Sequence, residues 1–184
     1  MIKFILQGGG SLLGKKKKIF FDEISDDLDG KKKNILIVPF ARYENDWPGV
    51  FKKYSKRYGR LKIYKKFILA LPEIQEFKKQ IKVSDIILIA GGGEESLIKY
   101  LSDIRLEDLD NKVIVGTSAG ANIFSTYYYS NNRKKVDKGL GLLPIKTVCH
   151  YTPDSISGLE ELINFENKLI TFAIKEGDYL KIMI

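Results

Sequence analysis

The sequence has one cysteine and one histidine in 184 residues, one tryptophan, five prolines and no hydrophobic run of membrane length. Each shortage excludes something. The lone Cys149 cannot close an internal disulfide and cannot support a cysteine-rich zinc site. One histidine without clustered acidic ligands is too few for a metal centre, so neither metal nor cofactor is expected. No apolar stretch approaches the roughly 20 residues that cross a bilayer, so no membrane association is expected. The opening residues Met1–Gln7, followed by three glycines, read as a short buried strand and a turn. A secretory leader needs a longer apolar region and a cleavage site, and cytoplasmic localisation is the expectation that follows.

Acidic charge is also short. Lysine and arginine total 31 against 23 acidic residues, a formal charge of +8. The compact runs are Lys15–Lys18 and Lys31–Lys33, both placed here at the flanks of a helix and both without interleaved aromatics. Basic charge alone supports only weak, nonspecific binding to nucleic acid, so these runs read as solvated surface and no nucleic-acid partner is expected.

What is present is a recurring alternation. Short runs rich in Ile, Leu and Val predict strands at Lys3–Gln7, Asn34–Pro39, Leu61–Tyr64, Asp85–Ala90, Lys112–Thr117, Lys146–His150, Leu169–Ile174 and Tyr179–Met183. Nearly continuous apolar runs are expected where both faces of a strand are covered. Between them, Ile74, Phe77 and Ile81 fall on one helical face, as do Leu97, Ile98, Leu101 and Ile104. A third face runs through Ile156, Leu159, Leu162, Ile163 and Phe165. The pattern predicts one α/β domain over residues 1–184, a mainly parallel sheet between helical layers.

Ligands of such folds sit in loops at the carboxyl ends of strands. Four loops qualify: 8–11, 41–47, 91–94 and 117–121. The last contains Gly116-Thr117-Ser118-Ala119-Gly120, with a strand before it and a helix expected from Ala119 to about Tyr129. A sharp strand-to-helix turn lifts a serine oxygen out of the backbone, and glycines two residues either side leave it room. The helix start would turn free N–H groups toward a developing oxyanion. A serine N-cap after a glycine turn gives the same five residues.

A serine nucleophile needs a base, and His150 is the one histidine available. It ends a predicted strand and is expected on the same sheet edge as Ser118. The base needs an orienting carboxylate. Glu176, in the turn Lys175–Asp178, is the best placed, with Asp178 and Asp137 as competitors. Gly91-Gly92-Gly93 follows another strand and can donate N–H groups to an anion, which makes Gly92 the candidate second oxyanion donor beside Ala119. A tight loop with positive φ would use the same glycines. The first glycine loop, Gly8–Ser11, lacks the spacing of a phosphate-binding loop.

Taken in order, these blocks resemble the peptidase family of aspartyl dipeptidase (peptidase E) and cyanophycinase. The match comprises Val38-Pro-Phe-Ala41 with Trp47, Ile87–Gly93, Gly116–Asn122, Gly141–Pro144 leading into His150-Tyr151, and Ile174–Tyr179. The resemblance implies a flavodoxin-like, three-layer α/β sandwich related to class I glutamine amidotransferases. It implies Ser118 as nucleophile, His150 as general base and Glu176 as its orienter, with Gly92 and Ala119 supplying oxyanion donors. Gly91, Gly93 and Glu94 would then face a small peptide substrate. Two features depart from the pattern: Glu94-Glu95 stands where Asn and Thr are common, and no arginine occurs in Tyr151–Lys168. Both oppose an aspartyl substrate. A catalytically inactive relative that binds a peptide or acidic ligand is the alternative expectation.

Three further features read as packing. Tyr127–Tyr129 are expected to cover the core with their hydroxyls outward. Cys149 is expected in the core, because neighbouring strand residues face opposite ways and His150 takes the cleft side. Trp47 could line the cleft or pack.

Overall fold

A computed structural model describes every residue except 27, 29–31, 64 and 167. Its elements are β1 (Lys3–Gln7), α1 (Gly14–Ser25), β2 (Lys33–Val38), α2 (Trp47–Tyr58), β3 (Lys65–Leu69), α3 (Ile74–Val83), β4 (Ile86–Ile89) and α4 (Glu94–Leu101). Then come β5 (Val113–Thr117), α5 (Ala119–Asn122), β6 (Ser125–Ser130), β7 (Lys135–Lys138), β8 (Leu143–Cys149), α6 (Ile156–Asn164), β9 (Ile170–Ile174) and β10 (Tyr179–Met183).

The main sheet has the order β10-β1-β5-β4-β2-β3, parallel throughout except for β10 against β1. Its core follows the two-residue period of a strand. Ile5, Ile35, Ile37, Ile86, Leu88, Val113 and Val115 pack with Phe20 and Ile24 of α1 and Tyr54 and Tyr58 of α2. The alternate residues Phe4, Leu6, Leu36, Val38, Ile87, Ile89 and Ile114 pack with Phe77 and Ile81 of α3 and Leu97 and Leu101 of α4. Two apolar faces explain the unbroken runs in the sequence. The result is an α/β sandwich with helices on both sides. Among the described residues, no helix is long and apolar enough to cross a membrane.

A second sheet, β7-β6-β8-β9, is absent from the sequence expectation of one sheet. The helix expected from Ala119 to Tyr129 stops at Asn122, and Ser125–Ser130 is strand β6. Ser-Thr-Tyr-Tyr-Tyr-Ser is rich in residues that suit a pleated surface, and pairing with β8 on one side and β7 on the other decides the outcome. Leu143, Ile145 and Cys149 join this sheet to the α3–α4 side of the core, while α6 covers its outer face through Leu162 against Tyr129 and Val148. Ile156 and Ile163 of α6 are 51% and 50% exposed, so the apolar face of that helix is narrower than the spacing predicts.

Several boundaries also differ. The third strand is Lys65–Leu69 rather than Leu61–Tyr64; Tyr64 lies outside the described residues, and Leu61 is buried among the α1–α2 side chains. Both segments are apolar enough, and the parallel register Ile35↔Phe67 selects the later one. The Lys15–Lys18 run forms the first turns of α1 rather than flanking it. Lys31 of the second run lies outside the described residues. Trp47 packs against Phe40 and Tyr100 and donates its indole N–H to the Arg42 carbonyl at 3.0 Å.

Candidate active site

Strand β5 delivers Ser118 into a turn that few side chains tolerate. Its φ of 55° and ψ of −118° lie in a region that favours glycine. The flanking glycines are required by space. A Cβ at Gly116 would run into the Gly120 backbone, and one at Gly120 would lie 2.5 Å from the Ile89 carbonyl oxygen. The two glycines of the motif therefore let β4, β5 and α5 close around the serine.

His150 reaches Ser118 from the second sheet, not from the sheet edge that carries the serine. It follows β8 with a left-handed φ of 54°. Its Nε2 lies 2.7 Å from Ser118 Oγ, and its Nδ1 lies 2.6 Å from Glu176 Oε1. With the proton on Nδ1, the ring donates to the carboxylate and accepts from the serine hydroxyl. Glu176 stands in the turn from β9 to β10, which passes from the second sheet to the first. The competing carboxylates are engaged elsewhere: Asp178 with Lys16, and Asp137 with Arg133 at 2.8 Å and Lys135 at 3.2 Å.

The first glycine loop holds these parts together. Consecutive carbonyls of Gln7, Gly8 and Gly9 accept hydrogen bonds from the backbone N–H groups of Ser118 (2.8 Å), His150 (2.8 Å) and Gly177 (3.0 Å). A Cβ on Gly10 would come within 2.8 Å of Glu176 Oε2. The sequence offered only a failed phosphate motif here; three glycines in a row after a strand were the available signal.

Gly91–Gly93 lies beside the elbow. A Cβ on Gly91 would approach the Thr117 carbonyl oxygen to 2.8 Å and Ser118 Cβ to 3.2 Å. Among the described residues, the N–H groups of Gly92 and Ala119 have no acceptor, whereas Gly93 N–H is taken by the Ala41 carbonyl at 2.9 Å. Glu94 does not join the cleft. It is 9% exposed and accepts a 3.4 Å hydrogen bond from Asn122, tying α4 to the helix of the elbow. Glu95 takes the cleft wall in its place and pairs with Arg133.

These residues border a cleft of about 950 Å³. Arg42, Lys53 and Arg57 also line it, and sequence reading missed all three. Arg42 directly follows the Val38–Ala41 block, but Lys53 and Arg57 look like any solvated cation of a helix. Arg42 donates to the Gly91 carbonyl at 3.1 Å, and Arg57 to Gln7 Oε1 at 3.0 Å. The cleft thus draws cations from α2 and the loop before it, not from the segment after His150. Cys149 is buried in the core beneath His150, and burial pushes its thiol well above the usual range. Tyr128 is buried with its hydroxyl on Arg133, Tyr129 is buried, and Tyr127 reaches Glu166.

A strained serine after a parallel strand, met by a histidine and a carboxylate, defines a hydrolase site of the serine class. The chain belongs to peptidase family S51, which it matches over residues 4–183, and it is a serine peptidase. Its fold is similar to that of a peptidase from an acI-B1 Actinobacterium (TM-score 0.70, 21% identity, 98% of this chain and 86% of that one). It is also similar to a Listeria monocytogenes EGD-e protein provisionally described as peptidase E (TM-score 0.67, 19% identity, 100% and 99%). No curated protein sequence matches the chain.

Proposed function

We propose that this peptidase hydrolyses short peptides through a Ser118–His150–Glu176 triad and an acyl-enzyme. The observation that carries the reading is the relay of 2.7 Å and 2.6 Å on either side of the His150 ring. His150 takes the Ser118 proton as the oxygen attacks the amide carbonyl, and Glu176 holds the ring and balances its charge. The carbonyl oxygen becomes an oxyanion facing the Gly92 and Ala119 N–H groups. The amine leaves with the proton from His150, and water then repeats the sequence on the ester.

Arg42, Lys53 and Arg57 on the cleft wall favour an acidic group in the acyl part, offsetting the repulsion expected from Glu94 and Glu95. Glu94 is withdrawn and Glu95 is neutralised by Arg133. A fluorophosphonate probe tests the nucleophile: it should label the wild type and not Ser118→Ala. Absence of labelling in the wild type would favour a ligand-binding relative without turnover. A panel of Asp-X, isoaspartyl and neutral dipeptides then reads the preference, which should favour the acidic N-termini.

A further inference from the structure

His150 is shared between two cavities. Besides the main cleft, a cavity of about 450 Å³ is lined by His150, Asn131, Lys134, Thr152, Asp154 and Ser155 among others. None of Gly91–Gly93 borders it, so it adjoins the base without adjoining the oxyanion loop.

The turn between β6 and β7 is held in place at this cavity. Asn131 Nδ2 donates to the Cys149 carbonyl at 2.7 Å, anchoring the turn to the residue before His150. Lys134 N–H donates to the Ser130 carbonyl at 2.8 Å, and Lys134 itself takes a left-handed φ of 52°. Its neighbours Arg133 and Lys135 both pair with Asp137. Lys134, between them, has no ion pair or hydrogen bond from its ammonium among the described residues. A fixed turn thus presents one uncommitted cation to a cavity beside the base.

We infer that this cavity is the leaving-group subsite and that Lys134 reads a free C-terminal carboxylate there. The inference rests on the triad reading above. In acyl transfer the carbonyl part must face the oxyanion donors, while the departing amine must face the histidine. When the C–N bond breaks, its electron pair stays on nitrogen, and nitrogen takes the proton that His150 received from Ser118. That nitrogen lies between Ser118 and His150, which both line the main cleft. The group it carries leads past His150, away from Gly91–Gly93, into this cavity, which Ser118 does not border. In a dipeptide this group is one amino acid, with a carboxylate two bonds beyond the nitrogen and within reach of a cation on the same wall. Asp154, which has no ion pair among the described residues, opposes an acidic side chain in the leaving residue.

The test uses Asp-Leu and Ala-Leu, each as free acid and as C-terminal carboxamide. Wild-type KM should be lower for the free acids by about fivefold, the scale of an exposed charge pair, with kcat little changed. Lys134→Gln should erase that difference, and Lys138→Gln, outside the cavity, should keep it. An unchanged preference in Lys134→Gln, or none in the wild type, overturns the subsite, while hydrolysis by the wild type that Ser118→Ala loses upholds the proposed reaction. The same peptides titrated calorimetrically into Ser118→Ala separate the two readings. Lys134-dependent binding of the free acids, in a protein whose wild type hydrolyses nothing, overturns the peptidase reaction and the leaving-group role and upholds only the reading of the C-terminal carboxylate by Lys134. Failure of Ser118→Ala to distinguish acid from amide overturns the subsite whatever the turnover.

Discussion

The His150 ring lies where a side chain on Gly9 would have to be: a Cβ there would fall 2.5 Å from Nε2 and 2.8 Å from Nδ1. Gly9 also has a φ of 104°, closed to most residues. Gly9→Ala must displace the ring from the line between Ser118 and Glu176, and misplacement of about 1 Å can cost on the order of a hundredfold in rate. The expected outcome is a loss of that size in kcat with KM nearly unchanged, read from steady-state kinetics on a cleaved dipeptide. Wild-type kcat in Gly9→Ala would show that the loop does not position the base.

Ser118 should trade stability for function. Its backbone sits where glycine is at ease and alanine is not. Ser118→Gly and Ser118→Ala should both lose fluorophosphonate labelling, yet the glycine variant should be the more stable by about 1 kcal/mol in urea unfolding. Equal stabilities would mean that the turn carries no strain.

Glu176 is 60% exposed, so its contact with His150 contributes little to folding. Glu176→Gln keeps the shape but removes the charge that balances the imidazolium. We expect kcat to fall by about 10² to 10⁴-fold. Thermal denaturation should place the melting point of this variant at that of the wild type.

Cys149 links stability to alkaline pH. Burial raises its thiol above the unfolded value of about 8.5, so the unfolded chain releases this proton first. The contribution is complete below about pH 8.5 and is lost as pH rises beyond it, by about 1.4 kcal/mol per unit. Urea midpoints between pH 8.5 and 10 should fall more steeply in the wild type than in Cys149→Ala. The native thiol should resist a disulfide reagent at pH 8 that modifies the unfolded chain at once.

Local patterns made much of this protein legible. Strands β1 and β5 are read nearly residue for residue because their apolar runs are buried on both faces, and the edge strand β10 is read from its half-buried apolar residues. The Ser118 turn is legible in part: Gly116 is demanded by backbone four residues on, whereas Gly120 is demanded by Ile89 of the neighbouring strand β4. The second sheet was not legible. Ser125–Ser130 fits a helix or a strand until β8, 18 residues downstream of Ser125, pairs with it at Leu143.

By itself, the sequence determined the chemistry on offer: a serine between two glycines after a strand, a single histidine and a single cysteine. Tertiary structure decided how these meet. His150 and Glu176 come from the second sheet and its exit turn, and the carbonyls of Gln7, Gly8 and Gly9 bring them to Ser118. It also turned Glu94 inward and set Arg42, Lys53 and Arg57 on the cleft wall. Such placements depend on contacts between segments far apart in the chain, and no spacing within one segment encodes them.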